Sequence, residues 1–243
     1  MSPVRSLTSR QNPRVAAVCA LRKNPSADAF LLEGQKFVCD AEASIRELYT
    51  STPDKYRPLI DRLSARDIPV FAVSQPVAEK LCVTGTDLLA VVSAQECPLP
   101  QRLVLLDDVQ DPGNVGTILR TALAFDYGCI LSPGCANPYS SKVIQSSAGA
   151  VLSVPLRRED PQKAVRKLKE NGFTVLSAEL DETAKTPAEH SNCPPLALII
   201  GNEGNGVSPL LSAQADGKVY IPIRNTNSLN AAVAAGILME RFR

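Results

Sequence analysis

Short apolar runs alternate along this chain with stretches in which apolar residues recur every three or four positions. In the first part, the runs Phe30–Leu32, Val70–Val73 and Leu88–Val92 predict strands. The helical spacing around Val15–Leu21, Phe37–Ala43, Leu59–Leu63 and Val77–Leu81 predicts helices between them. After a proline-bearing, non-periodic stretch, "AQECPLPQR", the alternation resumes on a larger scale. Strands are expected at Leu103–Val109, Cys129–Ser132, Thr174–Ala178, Leu196–Ile200 and Val219–Ile223. Helices are expected at Val115–Phe125, Lys142–Ala148, Pro161–Asn171 and Leu229–Arg241. Near-continuous Leu/Val/Ile strands separated by helices predict a parallel sheet covered on both faces. The chain thus reads as α/β throughout, with a small domain over 1–95, a linker over 96–102 and a larger domain over 103–243.

Three of the strands in the larger domain run into polar, glycine- or asparagine-bearing turns: "LDDVQDPGNVGTILRTALAF", "LALIIGNEGNGVS" and "IPIRNTNSLNAAVAAG". Ligands of open parallel sheets sit beyond the carboxyl ends of the strands, where all three turns fall. In the first, Asn114 is placed to cap a helix whose buried stripe is Val115, Ile118, Leu119, Ala122 and Leu123. Arg120 lies off that stripe, where it either faces a cleft or is simply solvated. Gly116 costs the helix about 1 kcal/mol relative to Ala, which implies a close approach to its backbone. The second turn surrounds one carboxylate, Glu203, with Gly201, Gly204 and Gly206. It lacks the Gly-Lys-Ser/Thr ending of a phosphate loop, and its GxxGxG spacing is not a dinucleotide fingerprint. In the third, Ser228 reads as an N-cap and Asn230 as a first-turn residue. The helix that follows is apolar almost all round, which predicts burial, either in its own core or against a second copy of the chain in a homodimer.

Composition narrows this reading. At 243 residues, 44% hydrophobic and 21% charged, the chain can fill a packed core. No apolar run approaches the ~20 residues of a membrane-spanning helix, and no secretory leader pattern is present, so a cytoplasmic protein is expected. Seven cysteines without CxxC spacing predict reduced, mostly buried thiols and no metal site. The lone histidine, His190, lies in a polar loop without an evident partner, which excludes Ser-His-Asp and His-metal chemistry. Net charge is only +1, but Arg5, Arg10, Arg14, Arg22 and Lys23 all precede the first acidic residue, Asp28. Such an arm is a candidate RNA-phosphate surface, or else a solvated face.

Taken together, "NVGTILR", "GNEGNG" and "SLNAAVAAG" resemble the three signature motifs of the SpoU (TrmH) family of SPOUT RNA methyltransferases. The segment "PYSSKVIQSSAGAVLSVPL" resembles the family's stretch between motifs one and two. The region containing "FLLEGQKFVCDA" is similar to the ribosomal-protein-like substrate-binding domain ahead of many members. The resemblance implies S-adenosyl-L-methionine-dependent 2′-O-methylation of ribose in ribosomal RNA, with transfer RNA or a non-catalytic RNA-binding role as alternatives. It implies a SPOUT-type sheet whose C-terminal segment forms a trefoil knot, and a homodimer. Asn114, Arg120, Glu203, Ser228 and Asn230 match the family's catalytic positions. Gly201, Ile221 and Leu229 match cofactor-contacting positions, and Asn202, Gly206, Pro222 and Ser228 are assigned with them. The family usually has a Gly where Arg224 and Asn225 stand, in a loop one residue longer.

Overall fold

The computed structural model describes residues 4–190, 192–226 and 228–243. Asn227, in the third polar turn, and Ser191, in the histidine loop, lie outside the described residues. The chain forms two compact units. The first runs to Gln95 and takes in Tyr139–Ser141; the second comprises Glu96–Pro138 and Lys142–Arg243.

The first unit contains β1 (Arg5–Leu7), α1 (Pro13–Lys23), β2 (Phe30–Glu33), α2 (Gln35–Asp40), β3 (Ile45–Thr50), α3 (Arg57–Ala65), β4 (Val70–Val73), α4 (Gln75–Leu81) and β5 (Leu88–Val92). Its sheet has the order β1-β4-β3-β5-β2 and is mixed. β1, β4 and β3 run parallel, while β5 is antiparallel to both β3 and β2. The sequence pattern does not predict β3. Its run "IRELYT" carries charges at Arg46 and Glu47, and the pairing slips by one residue between Ile45 and Glu47, so the alternation of apolar positions is broken. On one face Val15, Val18, Leu31, Tyr49, Phe71, Val77 and Leu81 form the core.

The second unit contains β6 (Arg102–Leu106), α5 (Pro112–Ala124), β7 (Gly128–Leu131), α6 (Ser141–Ser146), β8 (Leu156–Arg158), α7 (Pro161–Glu170), β9 (Thr174–Ala178), β10 (Leu196–Ile200), α8 (Pro209–Gln214), β11 (Gly217–Val219) and α9 (Ala231–Arg241). Every pairing in its sheet is parallel, in the order β11-β9-β10-β6-β7-β8. The central β10 is buried at every position, as expected for a strand covered on both faces. The strand expected at Val219–Ile223 stops at Val219, because its neighbour β9 ends at the paired residue Ala178 and offers no further partner. Tyr220 instead donates its amide to the Lys185 carbonyl at 3.0 Å, outside the sheet. β8 ("LRR") and α8 ("PLLSAQ") were not expected; each is too short or too charged to show a period.

Helix α9 lies alongside α5 and runs parallel to it. Asn230 meets Asn114, Gly236 lies beside Thr121, and Arg243 stacks over Phe125. Beyond its last turn the chain is pinned: the Phe242 carbonyl accepts from Arg102 Nε at 2.7 Å and from Tyr127 Oη at 3.1 Å. The expectation of all-round burial is only partly met. Ala232, Ala235, Leu238 and Met239 are buried within the chain's own fold, whereas Val233 is 51% exposed.

Candidate functional site

The order of the sheet decides which turns can meet. β6 and β10 are neighbours, so the loops leaving their carboxyl ends lie side by side. Asp107, buried at the end of β6, accepts a 2.7 Å bond from the Ser208 amide across this seam. The Asn202 amide group spans it as well, donating to the Asp108 carbonyl at 2.8 Å. The same side chain accepts from the amides of Gly204 and Asn205, which curls the loop after β10 on itself. Asn202 and Gly206 close it with two reciprocal backbone bonds of 2.9 Å. A Cβ on Gly201 would lie 2.1 Å from the Gly206 carbonyl carbon, so only glycine permits this fold-back.

Two capping assignments change in the structure. The N-cap of α5 is Asp111, whose carboxylate accepts from the Asn114 amide at 2.8 Å, and Pro112 occupies the first helical position. The N-cap of α9 is Asn230 rather than Ser228, its Oδ1 accepting from the amides of Ala232 and Val233. In each case Asp-Pro or Asn-Ala sits at the true boundary, and the Asp-Pro pair is a signal readable from sequence. Because Asp111 caps α5, the Asn114 side chain is free for other partners.

Those partners join all three motifs. Asn230 Nδ2 donates to Asn114 Oδ1 at 2.9 Å, and Asn114 Nδ2 donates to Glu203 Oε1 at 2.8 Å. Glu203 also accepts from the amides of Gln110 and Asp111, both at 3.3 Å. The cap bonds fix which end of the Asn230 amide points inward, and this fixes the Asn114 amide in turn. Partial burial pushes the Glu203 carboxyl up, but the bonds from Asn114 and the backbone amides outweigh it and hold the group below its ordinary range. Glu203 is therefore an acceptor-only carboxylate at neutral pH.

Beside this chain opens a cavity of about 510 Å³, within the range of small-molecule sites. Its walls come from the ends of β9, β10 and β11 and from the start of α9. Of the residues assigned to the cofactor, Gly201, Asn202, Gly206, Ile221, Ser228 and Leu229 line it; Pro222 does not. Of the catalytic set, Glu203, Asn230 and Ser228 also line it. Arg120 is exposed on α5, about two turns beyond Asn114, and makes no hydrogen bond or ion pair with any described residue. Glu179 lines the cavity too, and no sequence motif marks it, because a lone carboxylate after a strand carries none.

These three loops, with an N-x-G-x-x-x-R helix start, a glycine loop and an Asn-capped helix bonded into one chain, are mirrored in known proteins. Residues 101–240 match the model of the SpoU rRNA Methylase family. The chain belongs to that family. The 23S rRNA (guanosine(2553)-2'-O)-methyltransferase RlmP of Bacillus subtilis is 31% identical over 237 residues, 91% of either chain. A Sinorhizobium meliloti structure described as an AdoMet-bound rRNA methyltransferase superposes with a TM-score of 0.86 at 27% identity, covering 99% of this chain and 97% of that one. A further structure of an rRNA methyltransferase from the same organism gives 0.88 over 100% of this chain and 98% of its own.

His190 does have a partner: its Nε2 lies 3.0 Å from the Lys218 carbonyl, and the ring packs against β11, a structural role. Cys82, Cys129 and Cys135 are buried, and burial raises all three thiols, Cys82 to about 11. Cys39 and Cys193 are exposed, so "mostly buried" does not describe the seven. Among the described residues there is no cluster that could hold a metal ion, and no helix long and apolar enough to cross a membrane. In the basic arm, Arg14 pairs with Glu47 at 2.6 Å and Arg22 with Glu33 at 2.6 Å, while Arg5, Arg10 and Lys23 have no carboxylate partner among the described residues.

Proposed function

We propose that this SpoU-family protein is an S-adenosyl-L-methionine-dependent RNA 2′-O-ribose methyltransferase of the cytoplasm, acting on large-subunit ribosomal RNA. The observation that carries the reading is the hydrogen-bonded chain Asn230–Asn114–Glu203 along the rim of the cavity. Ribosomal RNA is favoured by the 91% coverage of the RlmP relative, which includes the first unit. In this reading the first unit is the substrate-binding domain, and the C-terminal segment of the second unit is threaded as a trefoil knot.

The cavity fits the cofactor in size and in chemistry. Ile200, Ile221 and Leu229 supply apolar walls for a base, while the curled Gly201–Gly206 loop brings backbone groups within reach and carries no cation for a phosphate. The bound cofactor supplies a methyl group on an electrophilic sulfonium. The protein's task is then to hold the RNA 2′-oxygen in line with it. The Asn230–Asn114–Glu203 chain holds the end of β6 and the start of α5 at a fixed distance from the cavity. Arg120, unpaired within the described residues, grips the ribose and its neighbouring phosphate. A guanidinium keeps its charge, so Arg120 positions the nucleotide and balances charge developing on its oxygen, while the hydroxyl proton passes to solvent water. Ser228 stands at the cavity mouth as a hydroxyl partner for the same nucleotide. Arg5, Arg10 and Lys23 meet phosphates, assisted by Arg14 where RNA displaces Glu47.

The reading also includes a homodimer. Val233 on α9 and Leu123 on α5, 51% and 38% exposed, lie on the paired helices and suit a second copy. Calorimetry with S-adenosylhomocysteine, together with mapping of 2′-O-methyl groups on ribosomal and transfer RNA from a deletion strain, tests the whole proposal. Binding plus one lost ribosomal site is expected. Loss of a transfer-RNA site would redirect the substrate, and a base-methyl loss would overturn the 2′-O assignment.

A further inference from the structure

We propose that Glu179 is the residue that recognises the ribose of the adenosyl cofactor, by accepting hydrogen bonds from its 2′,3′-diol. This rests on the cofactor reading above and goes beyond it to a residue that none of the three motifs contains.

Glu179 follows directly on β9, whose neighbour β10 ends at the glycine loop. Its backbone amide donates to the Val219 carbonyl at 3.1 Å, so the strand end is fixed on both sides. The carboxylates that line the cavity are Glu179 and Glu203. Glu203 is committed to Asn114 and to the amides of Gln110 and Asp111. The side-chain partners of Glu179 among the described residues are Ser177 and Lys218. The Ser177 hydroxyl donates to its Oε1, and Lys218 Nζ lies 3.4 Å from its Oε2. Lys218 is itself held by Asp181. The side chain is only 19% exposed, so this orientation is not a solvated rotamer chosen at random.

An ionised carboxylate offers about four acceptor positions. Ser177 and Lys218 account for one on each oxygen among the described residues, which leaves one on each oxygen toward the cavity. A vicinal diol presents a pair of O–H donors at matching spacing. The charge balance points the same way. Glu179 and Asp181 share Lys218, so the cluster repels a phosphorylated ribose but accepts a neutral diol without adding charge. Among the cavity residues next to it in the chain or on the neighbouring strand ends, Ala178, Leu180, Ile200 and Val219 are aliphatic and Tyr220 offers only a neutral hydroxyl, a weaker acceptor than the carboxylate.

The test is calorimetry on the full-length protein with S-adenosylhomocysteine, its 2′-deoxy and 3′-deoxy analogues, and 5′-methylthioadenosine, which keeps the ribose but lacks the amino acid. For the wild type, each deoxy analogue should bind about ten- to a hundredfold more weakly than S-adenosylhomocysteine, the expected loss for a hydrogen bond to a charged group. In Glu179→Ala that discrimination should collapse, and affinity for 5′-methylthioadenosine should fall by a similar factor. If the wild type ignores the missing hydroxyls, the proposal is overturned even should the variant fail to fold. If Glu179→Ala weakens S-adenosylhomocysteine but leaves 5′-methylthioadenosine untouched, the carboxylate takes the ammonium group and the diol assignment is wrong. If the folded wild type binds none of these ligands, it is the cofactor reading that fails.

Discussion

Arg120 and Asn114 stand about two turns apart on α5 and are treated differently by their surroundings. Asn114 is bonded on both ends of its amide, whereas Arg120 is exposed and free of partners among the described residues. A residue that stabilises nothing in the free protein can be removed without unfolding it. Arg120→Ala should therefore leave melting temperature and cofactor affinity near wild type while turnover drops by roughly a hundredfold or more, within the range for loss of a positioned transition-state partner. Arg120→Lys, which keeps the charge but loses the planar fork, should also fail; near-normal single-turnover rates for either would remove Arg120 from the mechanism. Asp87, in the first unit, is the opposite kind of residue. Burial raises its carboxyl, but bonds from Lys55, Tyr56 and Thr52 override this and hold it well below the usual carboxylate range. A depressed folded pKa stabilises the fold above the unfolded value of about 4, and that contribution is lost as pH falls from there toward the folded one. Thermal melts should show Asp87→Asn destabilised at pH 7, with the gap to wild type closing below about pH 4. A gap independent of pH would show that the carboxylate's charge is irrelevant.

At the scale of elements, the contact between α5 and α6 explains a glycine that helix propensity disfavours. A Cβ on Gly116 would lie 1.9 Å from Ser146 Oγ and 2.7 Å from the Ser147 backbone nitrogen. The Ser146 hydroxyl in turn donates to the Pro112 carbonyl at 2.8 Å, tying α6 to the first turn of α5. Propensity alone would make Gly116→Ala stabilising by up to about 1 kcal/mol. The serine side chain can rotate away but the backbone nitrogen cannot, so overpacking of about 1–3 kcal/mol should win. Denaturant titration is expected to show a net loss of stability, and a gain would mean that α6 shifts freely. The sequence revealed that something approaches Gly116, but not that it is another helix of the same chain. Elements with a clean period were legible: β4, β5, β9 and β10 fall where the apolar runs lie, and α7 within one residue of its expected end. β3 and β8 were hidden by Arg46, Glu47, Arg157 and Arg158, because edge and bulged strands carry charges that erase alternation. The site residues were legible as motifs. Their linkage was not, because the capping roles of Asp111 and Asn230 depend on where each helix actually starts.

For the whole molecule, the same distinction between exposed and buried positions on α9 changes how self-association must be probed. Ala235 is fully buried within the chain, so a bulky charge there would disrupt the fold itself. Val233 is half exposed and can be altered without opening the core. Val233→Glu should lower the sedimentation coefficient toward that of a monomer while the melt of the monomer at low concentration stays unchanged. An unaltered dimer would place the interface elsewhere. The pairing of Asn114 with Asn230 also sets a timetable for biosynthesis. The two residues are 116 positions apart, and the Arg102–Phe242 clasp spans 140. A ribosome adding about 5–20 residues per second takes several seconds or more to cross such a span. β10 is made only near the end of that interval, and once it pairs with β6 the loops above them still wait for a helix not yet synthesised. The candidate site is thus the last part of this unit to be completed, and a nascent chain stalled before Asn230 would expose the apolar flank of α5 to chaperones or to its neighbours on the polysome.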